Sequence, residues 1–486
     1  MSGREPGPDE IGARSVRGGA FLVAREGSGL AIRMTGLLVV TRLLGPESFG
    51  LYAGAAAIVA VVAFLAQLSS ETYLVRRRDE PSDRVYDEAF TLLLVSSAVA
   101  VATGLLVTTL LPGLLADPRM TRTLQVLLLG VPITVLWAPA QARLERAYRY
   151  RGLAALEVAG DLVLYGVAVG GILLGLGHWA MVLAAFAWRL LLLVGSMRLA
   201  RYRPRLRWRR ASARDQARYG IAYVVPVSVW MARSALNPVL VGHFVGTAAV
   251  GVVALSIQLV ETMNAFTRVV WRVGSVGIGR LQHDTARLAA LVRDSTAAVL
   301  GVQALTMLPL VALSPWLVPL AFGAEWTAVV AVLPALCAAA MLAAPGLPGT
   351  IVLTTLDRMG LVARVQAVRL ALLLGSAPPL LIALGAPGFG VAECVALLAQ
   401  VLLLRSVRHE VPELRLGFLL PVYAAVLPPL AWHLVPGSTR PLLLVPAVVA
   451  ACLPASRRAG LLTVRRLRGS LRRPTTPVAT PAAEVS

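Results

Sequence analysis

Residues Thr41–Ala53 read TRLLGPESFGLYA, and their outline returns at Val241–Ala254 as VGHFVGTAAVGVVA. Gly45 and Gly50 come back as Gly246 and Gly251, each 201 residues later, between two long apolar runs in both copies. Each pair is expected to bend the chain. Two helical hairpins matched at this spacing predict a duplicated membrane bundle.

Working outward, apolar runs of about 18 residues or more, long enough to cross a bilayer, recur from end to end. The 486-residue chain is 57% hydrophobic with a mean hydropathy of +0.74, which excludes a soluble globule. Spans are expected at 17–43, 48–75, 86–112, 121–142, 153–175 and 179–200, then at 219–243, 248–275, 288–320, 326–356, 361–384 and 388–405, with two more at 416–435 and 440–455. The expected fold is therefore an all-α polytopic membrane protein of about 14 transmembrane helices. It comprises a cytoplasmic N-terminus (1–16), an N-lobe of six helices (17–200), a basic linker (201–218), a C-lobe of six (219–405), two further helices (416–455) and a basic, partly disordered tail (456–486). The two lobes are pseudo-symmetric.

All 46 basic residues are arginine, and the net charge is +21. In a soluble chain that would point to nucleic acid, but here no nucleic-acid partner is expected. The arginines cluster in loops on one side, at Arg76–Arg84, Arg143–Arg151, the linker, Arg280–Arg293, Asp357–Arg364, Arg405–Arg415 and the tail from Arg457; the opposite loops hold little beyond Arg119, Arg122 and Arg440. By the positive-inside rule both termini are cytoplasmic. The absence of lysine removes a P-loop. Cys337, Cys394 and Cys452 lie in apolar runs without CxxC spacing, and the five histidines fall at loops or span ends, so neither a metal nor a cofactor is expected. The N-terminal apolar run is interrupted by Arg25, Glu26 and Arg33. It lacks a signal-peptide core, so the first span should stay uncleaved.

The offset of 201 also sets Gln67 opposite Arg268 and Glu71 opposite Arg272; later an offset of 208 sets Arg151-Gly152-Leu153 on Met359-Gly360-Leu361 and Asp161 on Arg369. An even number of spans separates equivalents, so the halves run the same way through the membrane. Their axis lies along the membrane normal, and a cleft between the lobes is the default site.

Charges inside the spans point to what that cleft holds. Leu22, Glu26, Gly29, Arg33, Gly36 and Val40 share one face of the first span, with Arg25 beside them; Pro226, Trp230, Arg233 and Asn237 share a face of the seventh; Gln258, Glu261, Asn264, Arg268 and Arg272 form a stripe on the eighth. Charges in lipid are costly and belong against protein or in a wet cavity. A plain structural account stands beside this one: Glu26 or Glu261 pairs with a nearby arginine, and Arg25 and Arg272 snorkel to the interface. The surplus of arginine fits an anion, and guanidinium forks suit pyrophosphate oxygens. The candidate substrate-binding set is Arg25, Arg33, Arg233, Arg268, Arg272 and Arg369. Glu26, Glu71, Asp161 and Glu261 are the candidates for coupling or counter-charge. No catalytic residue is expected.

The motifs LLGPESFGLYA, ARLERAYRYRGLAALEV (Ala142–Val158), GLGHWAMVLA (Gly175–Ala184) and LAFGAEWTAVVAVLPAL (Leu320–Leu336) together resemble the polysaccharide-biosynthesis flippases. These are the O-antigen, capsule and teichuronic-acid branch of the MOP (multidrug/oligosaccharidyl-lipid/polysaccharide) exporter superfamily. The resemblance covers about residues 15–455. It implies two six-helix lobes forming a V, a central cationic cavity, and alternating access that carries an undecaprenyl-pyrophosphate-linked oligosaccharide from the inner to the outer leaflet of a bacterial cytoplasmic membrane. The family's cavity arginines are similar in placement to Arg25, Arg33, Arg233, Arg268 and Arg369. The implied partners are the lipid-linked glycan, membrane lipids, and polymerase or other assembly proteins, and no bond is made or broken, so the protein is not an enzyme. A cation-coupled drug exporter would want carboxylates where this chain has arginines. A membrane glycosyltransferase or polymerase would want larger outer loops and a DxD pair. A scaffold for glycan assembly stays open on sequence alone.

Overall fold

The computed structural model describes the backbone of residues 8–77, 79–280, 284–417 and 419–430, with side chains throughout except at 8–28, 30, 222–230, 232, 234 and 266–280. The expected 440–455 span and the basic tail lie outside the described residues. Among the described residues the regular structure is helical, without strands. Nine of these helices are long and apolar enough to cross a membrane, and ten if the bent pair Pro118–Leu128 and Val131–Arg146 counts as one span. The chain is a multi-pass helical membrane protein.

The breaks follow from residues that cannot continue a helix. The apolar segment Ala31–Arg76 holds 46 residues, about 69 Å of helix and more than twice a hydrocarbon core. It is divided at Gly45 (φ 71°, ψ 168°), which Pro46 follows. Its counterpart Gly246 has φ 114°. Gly50 and Gly251, by contrast, do not bend the chain: they lie within helices, at residues 8–67 and 247–280. Their role is close approach. A further break at Leu68 and Ser69 (φ 48° at both) divides the expected 48–75 span, leaving Ser70–Arg76 as a separate short helix. The expected 121–142 span is broken at 129–130 and 136–137, because Pro132 and Pro139 offer no N–H to the carbonyls of Leu128 and Val135.

The duplication is visible in backbone detail. Tyr148 (φ 52°) and Asp357 (φ 58°) each take the left-handed conformation at a helix end. Behind them Arg149 N–H donates to Leu144 O at 2.9 Å and Arg358 N–H donates to Leu353 O at 2.7 Å, one Schellman-type closure written twice. These equivalents are 209 residues apart. The Gly152 and Gly360 pairing at 208 is therefore one residue out of step with the corner before it.

The residues fall into two compact units. The first takes residues up to Gln258 with Ser314–Leu333 and Ala363–Ala399; the second takes Leu259–Leu313, Pro334–Val362 and the described residues from Gln400. Within the first, the two hairpins pack on each other. A Cβ on Gly50 would lie 2.2 Å from Thr247 O, and one on Gly251 would lie 2.1 Å from Pro46 O. The buried Trp326 closes the same corner: its indole N–H donates to Thr41 O at 3.1 Å and its ring meets Phe49 edge-on at 5.7 Å. The LAFGAEWTAVV motif thus packs on the first hairpin. Within the second unit, polar side chains satisfy carbonyls near helix ends: Gln400 Nε2 donates to Ala343 O (3.0 Å) and Tyr423 Oη to Met341 O (3.3 Å). Gln303 Nε2 donates to Asn264 Oδ1 (3.2 Å). In lipid such groups must find partners within the protein.

Candidate functional site

Two arginine–carboxylate clusters of the first unit contain arginines singled out in the sequence. In one, Arg33 Nη1 of the Pro8–Gln67 helix meets Asp161 Oδ2 of the Tyr150–Leu173 helix at 3.0 Å. The two helices approach closely because Gly36, one turn from Arg33, has no side chain where the Tyr165 ring lies; a Cβ there would fall 2.1 Å from Tyr165 Cγ. This pair is electrically neutral.

The other cluster joins three helices. Glu393 of Pro387–Ala396 takes Arg233 Nη1 of Arg210–Leu236 on Oε1 at 2.7 Å and Arg369 Nη2 of Met359–Leu384 on Oε2 at 3.3 Å. Only 4% of the Glu393 side chain is exposed. One carboxylate cannot balance two guanidiniums, so the triad carries one net positive charge. Arg233 Nε and Arg369 Nε are buried with no hydrogen-bond partner among the described residues. An uncompensated buried charge is costly, and what would relieve this one is an oxyanion that takes the remaining guanidinium hydrogens. Phosphate oxygens match that fork.

A third arginine resembles these two in its buried nitrogens. Arg189, midway along His178–Leu199, has Nε and Nη1 buried without a partner among the described residues. Its Nη1 lies against Gly130, 3.3 Å from where a Cβ would stand, at the break before Pro132.

The other sequence-predicted residues are placed differently. Glu71 accepts a hydrogen bond from Gln141 Nε2 at 2.9 Å, and the same nitrogen reaches Glu145 Oε1 at 2.9 Å. These two carboxylates share an amide rather than an arginine. Glu261 is exposed and belongs to the second unit. The side chains of Arg25, Glu26, Arg268 and Arg272 lie outside the described residues. The structure therefore brings Arg233 and Arg369 together and gives Arg33 its own partner. Sequence reasoning missed Glu393 and Arg189. Both stand alone in apolar runs, and the intramembrane-charge rule applied to every span would have flagged them.

A separate network holds the turn of the first hairpin. Arg119 Nη2 bridges Glu47 Oε1 (2.5 Å) and Asp117 Oδ2 (2.9 Å), and Asp117 Oδ2 also accepts from Thr247 Oγ1 at 2.9 Å. Burial alone would raise the Asp117 carboxyl. Hydrogen bonds from the Arg119 side chain and backbone and from Thr247 outweigh it and hold the group below the usual aspartate value.

With the fold and the charged clusters in view, known proteins can be set beside this one. A family model described as "Polysaccharide biosynthesis protein" matches residues 39–331, more than half of the chain. The succinoglycan biosynthesis transport protein ExoT of Rhizobium meliloti (strain 1021) is 24% identical over 292 residues, 59% of this chain and 58% of that protein. The lipopolysaccharide biosynthesis protein WzxC of Escherichia coli (strain K12) is 20% identical over 327 residues, 66% of this chain and 65% of that protein. The chain thus spans less than two thirds of the length of either relative. Among solved structures, the lipid II flippase MurJ in an inward closed conformation aligns over 93% of this chain and 100% of its own with a TM-score of 0.60 at 11% identity. An inward-facing multidrug resistance MATE family transporter of the MOP superfamily aligns over 79% of this chain and 95% of its own with a TM-score of 0.61 at 14% identity. At such identities the likeness is one of fold, and that fold is the MOP transporter fold. The chain belongs to the polysaccharide biosynthesis protein family whose model it matches.

Proposed function

We propose that this protein is a flippase that carries an undecaprenyl-pyrophosphate-linked oligosaccharide from the inner to the outer leaflet of a bacterial cytoplasmic membrane, for cell-surface polysaccharide. The observation that carries this reading is the Arg233–Glu393–Arg369 triad: a carboxylate buried between two guanidiniums, with one net positive charge and two buried Nε donors that have no partner among the described residues. Such a site takes an oxyanion and repels a cationic drug. The relatives in polysaccharide biosynthesis and transport support a glycan cargo.

In this account two lobes, 17–200 and 219–405, alternate in access around a central cationic cavity. Arg233 and Arg369 take the pyrophosphate, Arg25, Arg268 and Arg272 extend the positive surface, Arg33 joins them as a substrate contact balanced by Asp161, and the polyprenyl tail stays in lipid. Glu26, Glu71, Asp161 and Glu261 serve for coupling or as counter-charges. Both termini are cytoplasmic, and a polymerase takes the cargo on the far side.

Binding tests this directly. A fluorescent polyprenyl pyrophosphate should bind the purified protein, inorganic pyrophosphate should displace it, and Arg369→Gln should weaken binding at least tenfold. Equal affinity for the uncharged polyprenol, or full affinity in Arg369→Gln, would overturn the reading.

A further inference from the structure

The segment between Leu199 and Arg210 reads ARYRPRLRWR from Ala200 to Arg209, and residues 202–209 are not helical. It is held through its backbone to the start of the Asp83–Leu110 helix. Arg205 N–H donates to Asp87 Oδ1 (3.1 Å) and Arg207 N–H donates to Thr91 Oγ1 (3.0 Å). Tyr202 Oη adds a second hydrogen bond to Asp87 Oδ1 at 3.1 Å, and Arg207 Nε lies 3.6 Å from Asp87 Oδ2. Asp87 is 3% exposed. Burial, and then the Asp87 carboxylate, push the Tyr202 phenol up, so it keeps its proton and remains a donor. The segment is thus an anchored strap.

Its outward side chains are unusual for a solvated linker. Leu206 is 72% exposed and Trp208 is 53% exposed, and they alternate with the exposed Arg203, Arg205, Arg207 and Arg209. Depth accounts for both. Thr91 lies eight residues into its spanning helix, about 12 Å along the axis from Asp83. The strap therefore runs beside the first turns of a membrane span, at the level where headgroups give way to acyl chains. Tryptophan concentrates at that level, and arginine there extends its head outward to phosphate.

We infer that residues 203–210 form a seat for anionic phospholipid headgroups of the surrounding bilayer. Leu206 and Trp208 enter the acyl boundary, and the arginines take the headgroup phosphates and their net negative charge. The charge complementarity is one-sided: the arginines number five from Arg203 to Arg210, and the anchoring carboxylate Asp87 is buried behind them. Polybasic segments at a membrane surface are drawn to anionic lipid, each arginine adding to the attraction. The seat is independent of the cargo and stands whether or not the flippase reading does.

The test uses the full chain in phosphatidylcholine vesicles with and without phosphatidylglycerol. Association of spin-labelled phosphatidylglycerol is compared with that of spin-labelled phosphatidylcholine. The intact protein should prefer the anionic lipid, and the triple variant Arg203→Gln, Arg205→Gln, Arg209→Gln should lose about fivefold or more of that preference. Both backbone donors to Asp87 and Thr91 survive these changes, so the strap stays anchored. In parallel, the emission lost in Trp208→Phe should be quenched by bromo-acyl lipid in the intact protein. An unchanged anionic preference in the triple variant, or a Trp208 signal indifferent to bromo-acyl lipid, overturns the proposal.

Discussion

Gly50 and Gly251, equivalent residues of the two hairpins, fill each other's need for space: each faces a carbonyl four residues before its partner, Thr247 O for Gly50 and Pro46 O for Gly251. The contact is reciprocal, as a two-fold interface is, although both partners belong to one chain. It is a strong constraint on sequence, because a Cβ at either position would overlap backbone, which cannot rotate away. Small residues at helix crossings in membranes do this work of close approach.

Replacing Gly50 by alanine should therefore destabilise the protein by about 1–3 kcal/mol, and valine should cost more. Gly301→Ala serves as the contrast, since nothing lies within 4 Å of its Cβ position and alanine favours a helix. Thermal unfolding of purified variants in detergent separates the two. Equal melting temperatures for Gly50→Ala and the intact protein would contradict the packing described.

Glu393 should be harder to remove alone than together with its arginines. Glu393→Ala leaves Arg233 and Arg369 facing each other without their carboxylate, and breaking a buried pair this way costs roughly 3–5 kcal/mol. A triple variant with methionine at 233 and 369 and leucine at 393 should regain most of that stability while failing to bind pyrophosphate. Unfolding and binding measured on the same preparations check both halves.

Asp117 gives a pH dependence of definite sign. Its folded carboxyl titrates below the usual aspartate value, so the stability it contributes is present above about pH 3.9 and is lost as pH falls through the folded value. Asp117→Asn should melt below the intact protein near neutrality, with the gap closing in acid. A gap that widened in acid would mean the carboxyl is stabilised in its protonated form.

Trp326→Ala should cost about 3–5 kcal/mol. The side chain is 1% exposed, fills the corner beside Phe49, and satisfies Thr41 O. Trp326→Phe keeps much of the volume but not the N–H, so it should fall between the two in a melting series.

Much of this architecture was legible in the sequence because membrane helices are written in composition: long apolar runs and glycine pairs at a fixed offset predicted a duplicated helical bundle. Charge pairing was not legible. Arg33 and Asp161 are 128 residues apart and Arg369 and Glu393 are 24 apart, and nothing local encodes which arginine a carboxylate meets. The roles of the glycines also divided in a way the offset alone could not reveal, since bending needs a positive φ and close approach needs only the absent Cβ. Arg189 and Glu393 were visible as single intramembrane charges, but their importance rests on what surrounds them.

The most direct test of the central claim is leaflet exchange of a fluorescent polyprenyl-pyrophosphate oligosaccharide in proteoliposomes containing the intact protein, Arg233→Ala or Arg369→Ala. The cationic-site account predicts exchange by the intact protein and a loss of at least tenfold in each folded variant. Full exchange in both variants, or ion-driven efflux of a cationic dye in place of lipid exchange, would contradict it.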